Sequence, residues 1–270
     1  MKPQFSVIIP AYNRAYVLWK AVQSVMTQTE PRWEIIVVND GSTDCTLRLL
    51  EEFSDQRIRV LTIPHQGAPA ARNRGLEIAR APFIAYLDSD NTWHPNFLEV
   101  MHAAIEQDEE SVLWYCGQNY SVWERTLDGR WFLISQTAEP GRQYSSEEIW
   151  GLKGADTNCM VHRRSVSDPI GGWDELCLWG EDWDFFLRVF LEYSGKVKWI
   201  GPHIMVEYRQ VFGAGADGIC AEARENRDAE VRGRQYLLEK WGHHPDFAAA
   251  RSLNKQADDL LLMRAKVADR

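Results

Sequence analysis

FSVIIPAYNR, residues 5–14, decides the fold. Its first six residues are mostly apolar and rich in β-branched side chains, as in a strand buried on both faces. The polar PAYNR string marks where that strand leaves the core. Working outward, the pattern returns three times. EIIVVND (34–40) reads as a second strand, RIRVLTI (57–63) as a third, and FIAYLDSD (83–90) as a fourth that ends in two carboxylates. The spacing between strands predicts helices. One should start near Asn13 with Val17, Leu18, Ala21, Val22, Val25 and Met26 on one face. A short one, capped by Ser42 or Thr43, should carry Leu47, Leu50 and Phe53. A third places Ala68, Ala71, Gly75 and Ile78 along one side, where small residues permit close approach to the sheet. Strands and helices alternating at these lengths give an α/β fold with a mainly parallel sheet covered on both faces. Such a sheet holds ligands beyond the carboxyl ends of its strands, so PAYNR, NDGST and DSDN converge on one edge.

The middle of the chain is less regular. SVLWYCGQNYSVW (111–123) and GRWFLIS (129–135) read as two strands around a polar turn at Asp128 and Gly129, with further strands near Asn158–His162 and Val197–Ile200. EDWDFFLRVFLEY (181–193) reads as a helix with Trp183, Phe186, Leu187 and Phe190 on one face. From about Ile219 the pattern is one of charged amphipathic helices, broken at GHHPD (242–246), with no evident chemistry.

Composition narrows the classes. At 270 residues, 45% hydrophobic and 26% charged, the chain has the balance of a globular protein and enough length for a substantial core. A net charge of -9 argues against a surface built to coat nucleic acid, which needs a concentrated field of Lys and Arg. Cys45, Cys116, Cys159, Cys177 and Cys220 are odd in number, scattered and without a CxxC pair, the usage of reduced thiols in a cytoplasmic chain. The start lacks a signal sequence, and no apolar run reaches the roughly 18 residues of a membrane span. A helix lying on a bilayer needs no such run, so peripheral attachment at the inner face of the membrane stays open. GxGxxG and GxxxxGK[ST] are both absent, which counts against a nicotinamide dehydrogenase and a P-loop NTPase. His65 and His203 lack metal-ligand spacing, and His243 and His244 sit in a polar turn, so each reads as a satisfied or exposed histidine.

Two acidic strings carry the chemistry. In an extended chain Asp88 and Asp90 share a face, so both carboxylates can address one hard cation, and Mg²⁺ is often held by one or two carboxylates plus substrate phosphates. A bare DxD is more often a solvated turn; its place after a buried run sets this one apart. Glu181 and Asp182 open an amphipathic helix, where acidic residues also simply suit the helix dipole. Trp173, Trp179 and Trp183 crowd around them, as a sugar-binding wall or as core.

VIIPAYNR, EIIVVNDGSTD, GAPAARNRGLEIA, FIAYLDSDNTWHPNFL and GGWDE followed by GEDWDFFLR, in this order, strongly resemble the inverting family 2 glycosyltransferases of GT-A fold over roughly residues 5 to 210. The resemblance implies a GT-A domain over 1–215, with a nucleotide-binding half (1–110) and an acceptor and catalytic half (111–215), followed by a helical extension (216–270). It implies that Pro10, Ala11 and Tyr12 wall the base and ribose pocket, that Asp40 hydrogen-bonds the base, and that Arg72 reaches the nucleotide. Asp88 and Ser89 would meet the donor, Asp88 as a ribose or metal contact. Asp90 would ligate Mg²⁺ or Mn²⁺, and Asp182 would be the catalytic base, with Glu181 orienting the acceptor or bracing its loop. The partners implied are a nucleotide-sugar donor, UDP-linked by preference because uracil is the commonest base in the family, and a saccharide, lipid-linked or other hydroxyl acceptor. Asn91, where the family often has Asp, and Gln210, where it often has His, are departures that touch the metal and the closing loop. Two other classes share parts of the pattern: a glycoside hydrolase, which pairs carboxylates but needs no nucleotide pocket, and a non-catalytic binding module that keeps the fold.

Overall fold

The computed structural model describes residues 2–125, 130–150, 154–193, 195–212 and 231–247. The order of elements is β1 (Phe5–Ala11), α1 (Leu18–Met26), β2 (Trp33–Asp40), α2 (Thr46–Glu51), β3 (Ile58–Ile63), α3 (Ala68–Ile78), β4 (Phe83–Tyr86), β5 (Thr92–Trp93) and α4 (Phe97–Gln107). There follow β6 (Leu113–Arg125), β7 (Trp131–Glu139), α5 (Ser146–Trp150), β8 (Met160–Arg163), α6 (Ser167–Ile170), α7 (Glu181–Glu192) and β9 (Val197–Phe212). A helix over 231–241, called α8, completes them.

Among the described residues these strands form one nine-stranded sheet in the order β3-β2-β1-β4-β8-β6-β9-β5, with β7 on β6. The first four of that order run parallel, as read, and β8 enters antiparallel to β4. β6 and β7 form the expected antiparallel pair, and their turn at Asp128 and Gly129 lies outside the described residues.

Period-two alternation splits the core into two layers. Phe5, Val7 and Ile9 of β1, Trp33, Ile35 and Val37 of β2, and Phe83 and Ala85 of β4 face α1 and α4, meeting Leu18, Val22, Val25, Phe97 and Met101. Ile8, Ile36, Val38, Ile84 and Tyr86 face the other way, toward α3, α5 and α7. Among the described residues no helix is long and apolar enough to cross a membrane. Cys45, Cys116, Cys159 and Cys177 are free thiols, the last three buried, and Cys220 lies outside the described residues.

Three local readings need correction. The first helix starts at Leu18, five residues later than the apolar spacing suggested, because Asn13 takes a left-handed backbone (φ 53°) and its side-chain oxygen accepts the Thr43 N–H at 2.8 Å. Arg14 N–H donates to Thr46 Oγ1 at 2.8 Å, so 13–17 is a turn tied to the β2–α2 loop. Ser42 and Thr43 therefore cap nothing: Ser42 Oγ accepts from Asn13 N–H, while Asp44 Oδ1 accepts from Thr46 N–H at the start of α2. Leu47 is exposed, and Phe53 packs on the core from beyond the helix end. The fourth strand ends at Tyr86. Residues 88–91 form a turn in which Asn91 N–H donates to the Asp88 carbonyl at 3.1 Å, so Asp88 and Asp90 sit in a turn and not on one face of a strand.

The small-residue side of α3 behaves as its sequence implies. A Cβ added at Gly75 would lie 2.5 Å from Ile8 Cγ2 and 3.1 Å from its Cγ1. Gly75→Ala should therefore destabilise the fold by about 1–3 kcal/mol through overpacking. Combined with Ile8→Ala it should cost less than the sum of the two single changes, because the clash is gone. Urea denaturation of the cycle reads this, and strict additivity would show that α3 does not bear on β1 here.

Candidate active site

β1, β2 and β4 run parallel, so Tyr12, Asp40 and Asp88 emerge at one edge, together with the loop that follows β3. Pro10 and Ala11 close β1 and are buried, which leaves Tyr12, 37% exposed, as the ring of that string at the surface. It stacks on His65, with ring centroids 3.8 Å apart and planes at 18°. His65 Nδ1 lies 2.8 Å from Asp40 Oδ2. Asp40 is buried and its carboxylate also accepts the N–H groups of Gln66 and Gly67, both at 2.8 Å. Thus Asp40 holds the 65–67 loop in place, and Tyr12 and Asp40 meet through a histidine. The reading of His65 as a satisfied side chain holds; its place between these two residues was not visible from metal spacing.

Arg72 is the second hub. Only 3% exposed, it donates from Nη2 to Asp88 Oδ1 at 2.9 Å and from Nη1 to Glu181 Oε1 at 3.1 Å, and its guanidinium lies 4.6 Å from the ring centroid of Trp173. Burial alone would lower its pKa, but Asp88 and Glu181 outweigh that and raise it above the ordinary arginine value. Among the described residues its Nε has no hydrogen-bond partner. The side chain implied to reach a nucleotide is therefore a bridge from the end of β4 to the start of α7, and Glu181 braces that bridge.

Asp88 has a second partner that the sequence did not reveal. Its backbone N–H donates to Asn158 Oδ1 at 2.7 Å, and Asn158 Nδ2 donates to Asp88 Oδ2 at 2.9 Å. Asn158 is in turn held by Asp156 Oδ1, 2.8 Å from both its backbone nitrogen and Nδ2. Burial, and then the charge of Asp88, push the Asp156 carboxyl up to about 6. Ser89 is buried and Asp90 half-buried in the turn that follows. Among the described residues no group of three or more His, Cys, Asp or Glu side chains is arranged to hold a metal by itself.

Asp182 follows Glu181 in the first turn of α7. Its Oδ1 accepts the Trp183 N–H at 2.8 Å, and it lines a cavity of about 310 Å³ with Ala155, Trp179, Gly180, Trp183 and Leu237. Side chains one residue apart on a helix diverge by about 100°, so Glu181 can face Arg72 while Asp182 faces the cavity. Desolvation first, then the charges of Glu181 and Asp156, push the Asp182 carboxyl up to about 7. The three tryptophans divide. Trp173 is core, stacked on Phe185 at 4.4 Å, whereas Trp183, with its indole N–H on the Ile149 carbonyl, and half-buried Trp179 line the cavity. Leu237 comes from α8, the tail that carried no chemistry as sequence.

Comparison with known proteins gives the family and the fold. The family model described as "Glycosyl transferase family 2" matches residues 6–169. UDP-Glc:alpha-D-GlcNAc-diphosphoundecaprenol beta-1,3-glucosyltransferase WfgD of Escherichia coli is 39% identical over 118 residues, 43% of this chain and 46% of that protein. The putative teichuronic acid biosynthesis glycosyltransferase TuaG of Bacillus subtilis is 43% identical over 101 residues, 36% of this chain and 40% of the relative. The putative glycosyltransferase EpsH of Bacillus subtilis is 33% identical over 180 residues, 63% and 52% of the two chains. The chain spans about half the length of the curated relatives it matches. Among solved structures, S. aureus TarS 1–349 in complex with UDP-GlcNAc superposes with a TM-score of 0.58 at 21% identity, covering 78% of this chain and 59% of that one, a likeness of fold.

A raised carboxyl pKa has a cost in stability. The ordinary aspartate value is 3.8, and in the folded chain Asp182 holds its proton up to about 7. Between those values the unfolded chain has lost the proton and the folded chain keeps it, so stability falls as pH rises through the window, and above it the whole penalty is present. Asp182→Asn should therefore melt at a higher temperature than wild type at pH 8, with the difference shrinking toward pH 4. Circular dichroism melts across that range measure it; a variant no more stable than wild type at pH 8 would overturn the assigned shift.

Proposed function

The chain belongs to glycosyl transferase family 2, and from that premise we propose that it transfers a sugar from a UDP-sugar to an acceptor hydroxyl with inversion at the anomeric carbon. The observation that carries the reading is the division of labour around Arg72: Tyr12, Asp40 and Asp88 lie on the donor edge, and Asp182 faces a cavity of its own. The names of relatives support the choice of nucleotide, since WfgD is named for UDP-Glc and the TarS structure holds UDP-GlcNAc. On this reading 1–110 serves the donor and 111–215 the acceptor and the chemistry; of the expected extension over 216–270, only 231–247 lie within the described residues. The acceptor class is a saccharide, with lipid-linked saccharides included; a lipid-linked one would place the chain at the inner face of the membrane.

In the reaction, the base lies against Tyr12 at the edge where Asp40 holds the 65–67 loop. Asp182 accepts the proton of the acceptor hydroxyl as that oxygen attacks the anomeric carbon. The bond from that carbon to the diphosphate oxygen breaks on the opposite face, and the nucleotide diphosphate leaves with the electron pair. A base in hydrogen-bonding reach typically contributes about 10² to 10⁴ in rate. A carboxylate poised near neutrality is well matched to a proton that must be taken and later released. Glu181, through Arg72 and Asp88, keeps the first turn of α7 fixed beside the donor.

The donor set of the 88–91 turn contains oxygen only. Two carboxylates, one of them already engaged by Arg72 and Asn158, do not make a protein cage, but they fit Mg²⁺ or Mn²⁺ that takes its other ligands from substrate phosphates and water. Asp90, with Asp88, would hold the ion. When bound, it neutralises charge that grows on the departing diphosphate.

Asp182→Asn should bind UDP as wild type does yet lose transfer by at least about 10²-fold. The wild-type kcat/KM should fall as pH drops below about 7, where Asp182 takes up its proton, and NMR of the product should show an inverted anomeric centre. Retained configuration would remove the mechanism along with the base. Asp90→Asn should abolish the gain in UDP affinity that Mn²⁺ confers in a calorimetric titration. Equal UDP affinity of the wild type in Mn²⁺ and in excess EDTA would sink the metal assignment.

A further inference from the structure

Helix α8 is not an appendage. At Gly233 it packs so closely on the catalytic half that an added Cβ would stand 2.5 Å from Trp179 Cβ, and the Arg234 guanidinium lies 4.4 Å from the centroid of the Trp179 ring. Farther along, Tyr236 OH donates to Asp174 at 2.6 Å, Lys240 Nζ reaches both Asp174 and Asp184, and Trp241 Nε1 donates to Asp184 at 2.9 Å. Asp184, on α7, is fully buried and is also paired with Arg188 Nε at 2.8 Å. Lifting α8 away would leave a buried carboxylate with only one of its three partners, which is strongly unfavourable.

Leu237 sits at the middle of this docked segment, 2% exposed, and its Cδ1 lies 3.0 Å from where a Cβ on Gly180 would be. It lines the cavity into which Asp182 faces, with Ala155, Trp179 and Trp183. The side chains that line it are aliphatic or aromatic apart from one carboxylate, the surface they leave with Gly154 and Gly180 is on balance polar, and the volume, about 310 Å³, is at the small end of small-molecule sites. Those features suit one pyranose ring, its C–H face on indole and leucine and one hydroxyl on Asp182.

We propose that Leu237 is an acceptor-specificity residue, and that α8 forms the wall which limits the acceptor site to a single terminal pyranose. The inference rests on the glycosyl-transfer reading, because it takes Asp182 as the base. Glu181 is turned through Arg72 toward the donor edge, so the cavity on the Asp182 side is the acceptor's.

The test uses the full chain with MnCl₂ and UDP, and methyl glycosides of glucose, galactose, mannose and N-acetylglucosamine as probes. Saturation-transfer NMR reports glycoside contact, and calorimetry reports UDP affinity. In wild type at least one glycoside should receive saturation. Leu237→Trp should weaken that contact by about tenfold or more, the usual consequence of a bulk mismatch in a substrate pocket, with UDP affinity unchanged. Ala155→Leu fills the same cavity from outside α8 and should act alike, which keeps the test intact if Leu237→Trp does not fold. Val231→Ala, at an exposed position of α8, should change neither reading. Wild-type glycoside contact in both filled variants would overturn the proposal, as would UDP binding with no glycoside contact in wild type. A wild-type chain that binds no UDP and consumes no UDP-sugar would instead overturn the glycosyl-transfer reading itself.

Discussion

The Arg72 guanidinium sits between Asp88 and Glu181, carboxylates that lie 16 and 109 residues away along the chain. A cation with almost no solvent access needs both of them, although they keep some contact with water, because an unpaired charge at its depth costs far more than a surface ion pair returns. The pairing fixes where β4 ends relative to where α7 begins. Since Asp182 follows Glu181 directly, the direction of its carboxyl is tied to what Arg72 does to its neighbour. Trp173 beneath the guanidinium and Asn158 on the far side of Asp88 complete the clamp. The edge that carries Tyr12, Asp40 and Asp88 and the cavity lined by Asp182 are thus joined through one buried cation.

Much of the first half was legible because its elements are local. Four buried strands and their helices declare themselves by period, and parallel pairing then brings PAYNR, NDGST and DSDN to one edge without knowledge of any contact. The small side of α3 was equally readable, since Gly75 against Ile8 follows from the packing of a helix on a sheet. The misses have other causes. Asn13 in a left-handed turn delays α1, and a turn, not a strand, carries Asp88 and Asp90, because side-chain bonds across loops outweigh an apolar period.

What remained hidden came from afar. Asp156 and Asn158 reach Asp88 only because β8 pairs antiparallel with β4, and no local spacing announces that. Leu237 looked like one more apolar position on an amphipathic helix, and only its docking on Trp179 and Asp184 gives it a cavity to line. His65 could have been found: the loop after a third parallel strand must open on the same edge as the other two, and PHQG is that loop. In Asp182 the site also keeps a group the fold would be more stable without, a local conflict of the kind that marks function in a chain whose other choices agree with one another.

The stack of Tyr12 on His65 gives the pocket a tenant before any ligand arrives. A planar ring that settles on the face of Tyr12 now covered by imidazole must first evict it, and the eviction also breaks the contact with Asp40 Oδ2, which still accepts the Gly67 N–H. What the newcomer gains is the difference between two stacks and two hydrogen bonds, not the full worth of either. Such an exchange lowers affinity for every planar guest by the same toll. Discrimination would then fall to those guests that can also replace the imidazole at Asp40.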